Sequence, residues 1–225
     1  MLLDAPDAIL FDLDGTLVDS ERENVESVVL AVRRWGAELT ADERAFVIGH
    51  SWNEIHARIV SAHALDVSMA VLIEAAVEEK RVLMATEGYR ALAGAVAAVR
   101  RLGRRSKLAV VSGASHGEVA DAVESLGVMD AFAFIMGAED YPRGKPAPDP
   151  YAMAIARLGA SPARSVAIED ATPGILSARA AGARVVGVRA GNFSGYDLSA
   201  ADVVVDTLDE LTDELLARLV AGAAP

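Results

Sequence analysis

Short apolar runs that alternate with helical stretches constrain the fold of this chain more than any other feature of its sequence. Each run is three to five residues of apolar sequence, rich in β-branched residues or bounded by turns, without the alternating polarity of a half-exposed strand. Such runs predict strands that are buried on both faces. In chain order they are AILF (8–11), LAVVS (108–112), AFIMG (133–137), SVAIE (165–169), RVVGV (184–188) and a weaker DVVVD (202–206).

This alternation predicts an α/β fold, with a Rossmann-like parallel sheet core that carries helices on both faces. In sheets of this kind, ligands bind beyond the carboxyl ends of the strands. Several residues between the runs mark helix starts: Ser115 forms a capping box with Glu118, Asp149 precedes Pro150, and Thr172, taken as an N-cap, precedes Pro173.

The connection between the first two strands is too long for a simple crossover. It has no convincing strand and shows helical patterns near 20–35, 52–63, 68–86 and 91–102. We interpret residues 18–88 as an inserted, small α-helical cap domain, and residues 1–17 and 89–225 as the Rossmann-like core. We expect the cap above the carboxyl edge of the sheet.

Charge and composition exclude several classes of function. The net charge is −12, with 33 acidic against 21 basic residues, so we expect no nucleic-acid partner and no anionic membrane surface. The absence of cysteine excludes disulfides and thiolate chemistry, and it fits a cytoplasmic location. The start MLLDAPDAIL lacks a basic region before its apolar residues, so we expect no signal peptide, and no stretch is long and apolar enough for a membrane span.

Polar residues with related chemistry fall where the predicted strands end. Because the carboxyl ends of parallel strands share one edge, we expect these side chains to converge on one site. Carboxylates are suited to Mg²⁺, which takes oxygen ligands, and an ammonium is suited to phosphate. The residues are Asp12 and Asp14 after the first strand, Ser112 at the second, Lys145 after the third, and Glu169 with Asp170 at the fourth.

Each of these residues also has a purely structural interpretation. The DLDG segment could open a calcium-binding loop, but its glycine comes at the fourth position instead of the sixth. It could also be a simple turn. Ser112 could cap a helix, although Ser115 already fills that role. Lys145 could be a solvated loop lysine, and Glu169 and Asp170 could be ordinary loop carboxylates. The four histidines show no metal-binding spacing, and we interpret them as structural or exposed.

Four segments together resemble the haloacid dehalogenase superfamily, in the branch with a helical cap that includes phosphoglycolate phosphatases, sugar phosphatases and β-phosphoglucomutases. The segments are FDLDGTLVDSE, LAVVSGAS, GKPAPDPY and AIEDATPGI, in the family's order and at its usual separations. The resemblance covers nearly the whole chain.

The resemblance implies a role for each matching residue. Asp12 would be the nucleophile that forms an aspartyl phosphate, and Asp14 the general acid and base. Mg²⁺ would be held by the Asp12 carboxylate, the Asp14 backbone carbonyl and the Asp170 carboxylate, with Glu169 as an outer ligand or an orienting group. Ser112 and Lys145 would bind the phosphoryl group, with backbone N–H donors near Gly113.

Two departures from related activities narrow the expectation. Asp14 is a second acid that the dehalogenases lack. Phosphoglucomutases use a basic cap residue in the segment that reads GHSWNE here, and Trp52 stands in its place. An indole can stack on a sugar or fill the cap core, but it cannot bind phosphate as an arginine does. Lys80 or Arg81 could still reach an anionic group.

We therefore predict a Mg²⁺-dependent phosphatase for a small phosphorylated metabolite, with a β-phosphoglucomutase-like mutase as the alternative and a non-catalytic phosphometabolite-binding protein as a third hypothesis. We also predict that Trp52 binds the substrate. The sequence does not indicate the substrate or the oligomeric state, and it is compatible with a monomer.

Overall fold

A computed structural model describes residues 5–48 and 50–222. Three parts of the chain lie outside the described residues: 1–4 and 223–225, which are predicted to belong to the core, and Gly49, the first residue of the GHSWNE segment of the predicted cap. Within the described ranges, six parallel strands form one sheet in the order β3-β2-β1-β4-β5-β6. The strands are β1 (Ala8–Phe11), β2 (Lys107–Val111), β3 (Phe134–Met136), β4 (Ser165–Glu169), β5 (Arg184–Val188) and β6 (Val203–Val205).

Nine α-helices are present in the described part of the chain, and the predicted parallel α/β fold is confirmed. The helices are α1 (Ser20–Arg33), α2 (Ala41–Val47), α3 (Trp52–His63), α4 (Met69–Glu87), α5 (Ala95–Leu102), α6 (His116–Ser125), α7 (Asp149–Leu158), α8 (Thr172–Ala180) and α9 (Asp213–Val220).

Both faces of the sheet are buried. On one face, Leu10 of β1 and Val111 of β2 pack with Tyr151 of α7 and Ile175 of α8 in a single apolar cluster. The alternate strand residues, such as Phe11, point to the other face and are also fully buried. Because successive side chains of a strand point to opposite faces, helices or loops cover both sides.

The chain divides into two compact units. One contains residues up to Asp19, Arg90–Asn192 and the residues from Tyr196 onward, and it includes the sheet. The other contains Ser20–Tyr89 with Phe193–Gly195. In this helical unit, α1 packs along α4, and apolar residues of α1 to α4 and their connections form a separate core.

Two helix starts differ from the sequence interpretation. Thr172 is the first residue of α8 and not its N-cap, which is Ala171 in an extended conformation. The Thr172 hydroxyl instead donates to the Asp197 carbonyl at 2.8 Å. Asp149 is likewise inside α7, after Pro148, and its carboxylate accepts from Arg143 at 2.8 Å. The capping box of Ser115 and Glu118 is confirmed.

The sequence interpretation also missed α2. This helix has seven residues and begins after Thr40, which forms a capping box with Glu43. The TADE segment carried that signal, but a helix of two turns is too short to show a clear apolar period. None of the described helices is long and apolar enough to cross a membrane.

Candidate active site

The carboxyl ends of neighbouring strands position the polar residues of the site. The register pairs Phe11, at the end of β1, with Val110 of β2 and Ile168 of β4. The next residue, Asp12, donates its backbone N–H to the Ile168 carbonyl at 3.0 Å, and Ser112 directly follows β2. Because these strands are parallel, the residues that follow them emerge at one edge of the sheet.

Three carboxylates meet at this edge. Asp12 follows β1, Glu169 is the last residue of β4, and Asp170 comes next. One oxygen of each carboxylate lies within 4.8 Å of the other two, and the residues are only 7%, 1% and 7% exposed. Like charges this close repel strongly when water is excluded, so the cluster requires positive charge.

Lys145 supplies part of that charge. It lies in the loop between β3 and α7, and its Nζ is 2.6 Å from Asp12 Oδ1 and 2.6 Å from Glu169 Oε1. The same ammonium donates to the Val111 carbonyl at 3.0 Å. The three donors of one ammonium are therefore directed at three oxygens, which fixes the position of its charge.

Glu169 is held by groups that the sequence analysis did not single out. The Tyr151 hydroxyl donates to Glu169 Oε1 at 2.6 Å, and the Ala171 N–H makes a longer contact of 3.4 Å with Oε2. A Cβ on Gly174 would lie 1.8 Å from Oε1, so only glycine leaves room for the carboxylate. Tyr151 closes the GKPAPDPY segment and Gly174 lies in AIEDATPGI, so both belong to the segments that carry the family resemblance.

The electrostatics of the cluster follow from burial. Burial raises the pKa of Asp12 to about 7, the charges of Glu169 and Asp14 add to this, and the Lys145 ammonium opposes it. Burial raises the pKa of Asp170 to about 9, with further contributions from Asp12 and Glu169. Burial alone would lower the pKa of Lys145, but the Asp12 and Glu169 carboxylates raise it well above its usual value.

The turn after β1 packs closely on the acid cluster. Gly15 has a positive φ of 74°, and a Cβ at this position would lie 2.2 Å from Asp170 Oδ2. The neighbouring Thr16 hydroxyl approaches Asp170 Oδ1 at 3.4 Å. Glycine is therefore required twice over, by the backbone conformation and by the space that Asp170 occupies.

Asp14, Ser112 and Gly113 lie around these groups. Asp14 is half-buried in the turn, and its side chain is not one of the three clustered carboxylates. The buried Ser112 Oγ accepts the Ala114 N–H at 3.1 Å, while the Ser112 carbonyl accepts the Tyr141 hydroxyl at 2.6 Å. Apart from Gly113 and its two chain neighbours, no described residue has an atom within 4 Å of a Cβ built on Gly113, so the space beside this glycine is open.

Trp52 lies in the helical unit. It is the first residue of α3 after the N-cap Ser51, and its partly buried ring packs against the apolar core of that unit. The geometry of Trp52 is thus that of a helix-start residue anchored in the core.

Two histidines of the helical unit make internal contacts, His56 with the Val67 carbonyl at 2.8 Å and His63 with Glu43 at 3.0 Å.

The acid cluster has the chemistry of a site for a hard divalent cation. Asp12, Glu169 and Asp170 offer oxygen ligands, which Mg²⁺ prefers. A cation favours the charged form of a carboxylate and so offsets the burial that raises the pKa of Asp12 and Asp170. These residues therefore fit a bound metal ion.

Comparison with known proteins agrees with this chemistry. Residues 9–188 match the family described as haloacid dehalogenase-like hydrolase. The chain is 31% identical over 219 residues to the validoxylamine A 7′-phosphate phosphatase of Streptomyces hygroscopicus subsp. limoneus, covering 90% of this chain and 94% of that protein. It is 30% identical to hexitol phosphatase A of Escherichia coli strain K12, covering 90% and 92%. A β-phosphoglucomutase structure from Clostridium difficile has a TM-score of 0.70 at 22% identity, covering 96% and 98%, and shares the fold.

Proposed function

Because the chain belongs to the haloacid dehalogenase-like hydrolases, we propose that it is a Mg²⁺-dependent phosphatase that acts through an aspartyl-phosphate intermediate. It is a phosphoric monoester hydrolase of this family, like its relatives that act on small phosphorylated metabolites. The observation that carries the mechanism is the position of Lys145 Nζ, 2.6 Å from both Asp12 and Glu169. An ammonium held there can balance the charge of an anionic nucleophile and of an incoming phosphoryl group.

In the proposed reaction, Asp12 attacks phosphorus. A bond forms between Asp12 Oδ and phosphorus as the bond between phosphorus and the leaving oxygen breaks, and Asp14 gives its proton to that oxygen. Water then attacks the phosphorus of the aspartyl phosphate. Asp14 takes a proton from this water, and the phosphorus–Asp12 bond breaks to release inorganic phosphate.

The remaining residues bind and orient. Phosphatases of this family use a metal ion, and here Mg²⁺ would supply charge that stabilises the transferring phosphoryl oxygens. The Asp12 and Asp170 carboxylates and the Asp14 backbone carbonyl are proposed to hold it. Glu169 fits an orienting role, because its Oε1 already accepts from both Lys145 and Tyr151. Ser112 and the Gly113 N–H are proposed to donate to the phosphoryl group.

The substrate class is proposed from the relatives. Hexitol phosphatase A and the validoxylamine phosphate phosphatase both carry names of polyhydroxylated substrates, so a sugar or polyol phosphate is the first candidate and phosphoglycolate the second. We further propose that the chain divides into a core of residues 1–17 and 89–225 and a cap of residues 18–88, and that the cap selects the substrate. Trp52 is proposed to bind the substrate as well.

A mutase would use the same core residues, and the fold is also that of a β-phosphoglucomutase. The two activities differ in their product. Conversion of β-glucose 1-phosphate to glucose 6-phosphate without release of phosphate would replace the phosphatase proposal with the mutase one.

The testing experiment measures phosphate release, with Mg²⁺ and with a chelator, from sugar and polyol phosphates, phosphoglycolate, nucleotides and p-nitrophenyl phosphate. Asp12→Asn is measured beside the wild type, and we expect it to lower kcat by at least about 1000-fold while the fold is retained. A fully active Asp12→Asn variant would remove the nucleophile assignment. An unchanged rate after chelation would remove the metal role. Failure of both the wild type and the mutase assay would favour the non-catalytic binding protein.

A further inference from the structure

Tyr151 is an aromatic residue of the sheet core with two contacts to the proposed catalytic groups. It is 0% exposed and lies at the start of α7. Its hydroxyl donates to Glu169 Oε1 at 2.6 Å, and the Lys145 ammonium lies 5.0 Å from the centre of its ring. The Tyr151 side chain therefore contacts both partners of a buried ion pair, the Glu169 carboxylate and the Lys145 ammonium.

Packing alone does not account for this tyrosine. The ring packs among apolar residues such as Leu10 and Ile175, where phenylalanine would fill the same space with no polar atom to satisfy. A buried hydroxyl is costly unless it is hydrogen-bonded, and this one is directed at the carboxylate that also binds Lys145. The polar contact, and not the ring, distinguishes Tyr151 from an ordinary core residue.

The hydroxyl fixes Glu169 where other restraints are weak. Among the residues that the structure describes, only the Ala171 N–H contacts Oε2, at 3.4 Å, while Gly174 backs the carboxylate without donating to it through a side chain. Oε1 receives the Tyr151 hydroxyl and the Lys145 ammonium, each at 2.6 Å. Two donors in different directions restrict the rotation of the carboxylate more than one does.

The position of Glu169 in turn affects Lys145. The Lys145 ammonium is shared between Glu169 and Asp12 at equal distances of 2.6 Å. Without the Tyr151 hydroxyl, Glu169 Oε1 would direct all its hydrogen-bonding capacity at Lys145. The carboxylate would also be free to turn. The first change would draw the ammonium towards Glu169 and away from Asp12, and the second would leave the position of the ammonium less fixed.

We propose that Tyr151 is a positioning residue that, through Glu169, holds the Lys145 ammonium against Asp12 for phosphoryl transfer. The inference rests on the proposed function, since it assumes that Asp12 and Lys145 meet the phosphoryl group. Tyr151 does not itself touch the substrate.

A double-mutant cycle tests the proposal with Tyr151→Phe, Glu169→Gln and the double variant. Tyr151→Phe keeps the ring and removes only the hydroxyl. We expect it to lower kcat about tenfold. Because the substrate's phosphoryl group and inorganic phosphate meet the same ammonium, we also expect a several-fold rise in KM and a several-fold weaker binding of inorganic phosphate to the Mg²⁺-loaded protein in calorimetry. In the Glu169→Gln background, the same substitution should cost almost nothing further, because its effect passes through Glu169.

A matched control is Ser165→Ala. Ser165 is fully buried and is the first residue of β4, the strand that ends at Glu169. Its hydroxyl donates to the Ser161 carbonyl at 2.8 Å. This variant also loses one buried hydroxyl hydrogen bond, so we expect a lower Tm but kcat and phosphate affinity within about twofold of the wild type. An equal loss of kcat in Ser165→Ala would show that Tyr151→Phe acts by general destabilisation and would overturn the proposal.

Other outcomes are equally decisive. A wild-type-like Tyr151→Phe, or a loss of the same size in the Glu169→Gln background, overturns the positioning role and leaves the proposed function standing. A wild type without Mg²⁺- and Asp12-dependent turnover overturns the proposed function and the positioning role with it. If Tyr151→Phe does not fold, Glu169→Gln alone decides, because unchanged kcat and phosphate affinity in that variant overturn the role and a loss of both supports it.

Discussion

A Cβ on Gly174 would lie 1.8 Å from Glu169 Oε1, so the Glu169 carboxylate occupies the space that any other residue's side chain would need. Gly174 is the third residue of α8, and Glu169 is the last of β4. The first turn of the helix is therefore packed directly against the carboxylate that binds Lys145. The Glu169 side chain cannot easily move aside to relieve this contact, because its carboxylate is buried and accepts hydrogen bonds from both Lys145 and Tyr151.

We predict that Gly174→Ala is harmful although alanine is the better helix former. In an ordinary helix, glycine costs about 0.5–1 kcal/mol relative to alanine. Here the new methyl group must displace Glu169, and we expect a loss of roughly 1–3 kcal/mol in the free energy of unfolding. Since Lys145 would lose its support, kcat should fall by about tenfold or more. Urea unfolding and steady-state kinetics measure both effects.

Gly117→Ala is the matched control for this prediction. Gly117 is the second residue of α6, and no described atom outside its own helix comes within 4 Å of a Cβ built there. We expect this variant to be more stable than the wild type by about 0.5–1 kcal/mol, with unchanged kcat. Equal stability changes in the two variants would contradict the close contact at Gly174.

The pKa values of Asp12 and Asp170 predict how the metal-free protein responds to pH. Burial raises the two values to about 7 and about 9, against about 4 for an aspartate in the unfolded chain. Between about pH 5 and about pH 9, the folded state therefore holds protons that the unfolded state has released. Stability must fall as the pH rises through this range, because the unfolded state binds fewer protons.

Urea unfolding at a series of pH values with a chelator measures this slope. Asp12→Asn and Asp170→Asn should each flatten it. Added Mg²⁺ should stabilise the protein increasingly as the pH rises, because ligand carboxylates must lose their protons to bind a cation. A metal-free stability that rises from about pH 5 to about pH 9 would contradict the raised pKa values.

Ser112 and Ser115 allow a second pair of matched substitutions. The Ser115 side chain accepts the Glu118 N–H and caps α6, so Ser115→Ala should cost about 1 kcal/mol of stability and leave kcat/KM unchanged. If Ser112 donates to the phosphoryl group, Ser112→Ala should lower kcat/KM roughly 10- to 100-fold, the value of one hydrogen bond to a charged group. Kinetics and thermal unfolding of both variants separate the two roles. A normal kcat/KM in Ser112→Ala would leave the buried hydroxyl with only its local contact to Ala114.

The sequence predicted the sheet well because each strand is a short apolar run buried on both faces. The predicted and observed limits of β1, β4 and β5 coincide, and the other strands differ by at most one residue at either end. Thr172 was less predictable. Its side chain fits the N-cap preference, but its hydroxyl donates to the carbonyl of Asp197 in a loop distant in sequence. Ala171, in an extended conformation, is the N-cap residue instead.

The chemistry of the site was predictable as a set of residue types, and its supporting contacts were not. Asp12 and Glu169 could be placed at strand ends, and Lys145 in the loop after the third strand, from the order of the elements. The contacts of Tyr151 and Gly174 with Glu169 depend on how α7 and α8 pack on the sheet, which local patterns do not encode. A tyrosine in an apolar helix face looks like any core aromatic until its hydroxyl partner is known.

Trp52 is proposed to bind substrate, and its partly buried ring also packs in the core of the helical unit. Trp35 is the natural comparison, because it is partly buried against the same core. We expect Trp52→Leu and Trp35→Leu each to lower the free energy of unfolding by roughly 1–3 kcal/mol. If the indole stacks on the substrate, only Trp52→Leu should raise KM, by about 2- to 10-fold, which is the value of an aromatic contact.

The readout that separates the two roles of Trp52 is KM on the preferred substrate, measured below the unfolding temperature of both variants. Loss of packing lowers the folded fraction and hence the apparent kcat, but it leaves the KM of the folded molecules unchanged. A rise in KM confined to Trp52→Leu therefore requires contact with the substrate. Equal KM values in both variants would make Trp52 a core residue, and the search for the specificity residues would move to Lys80 and Arg81 on α4.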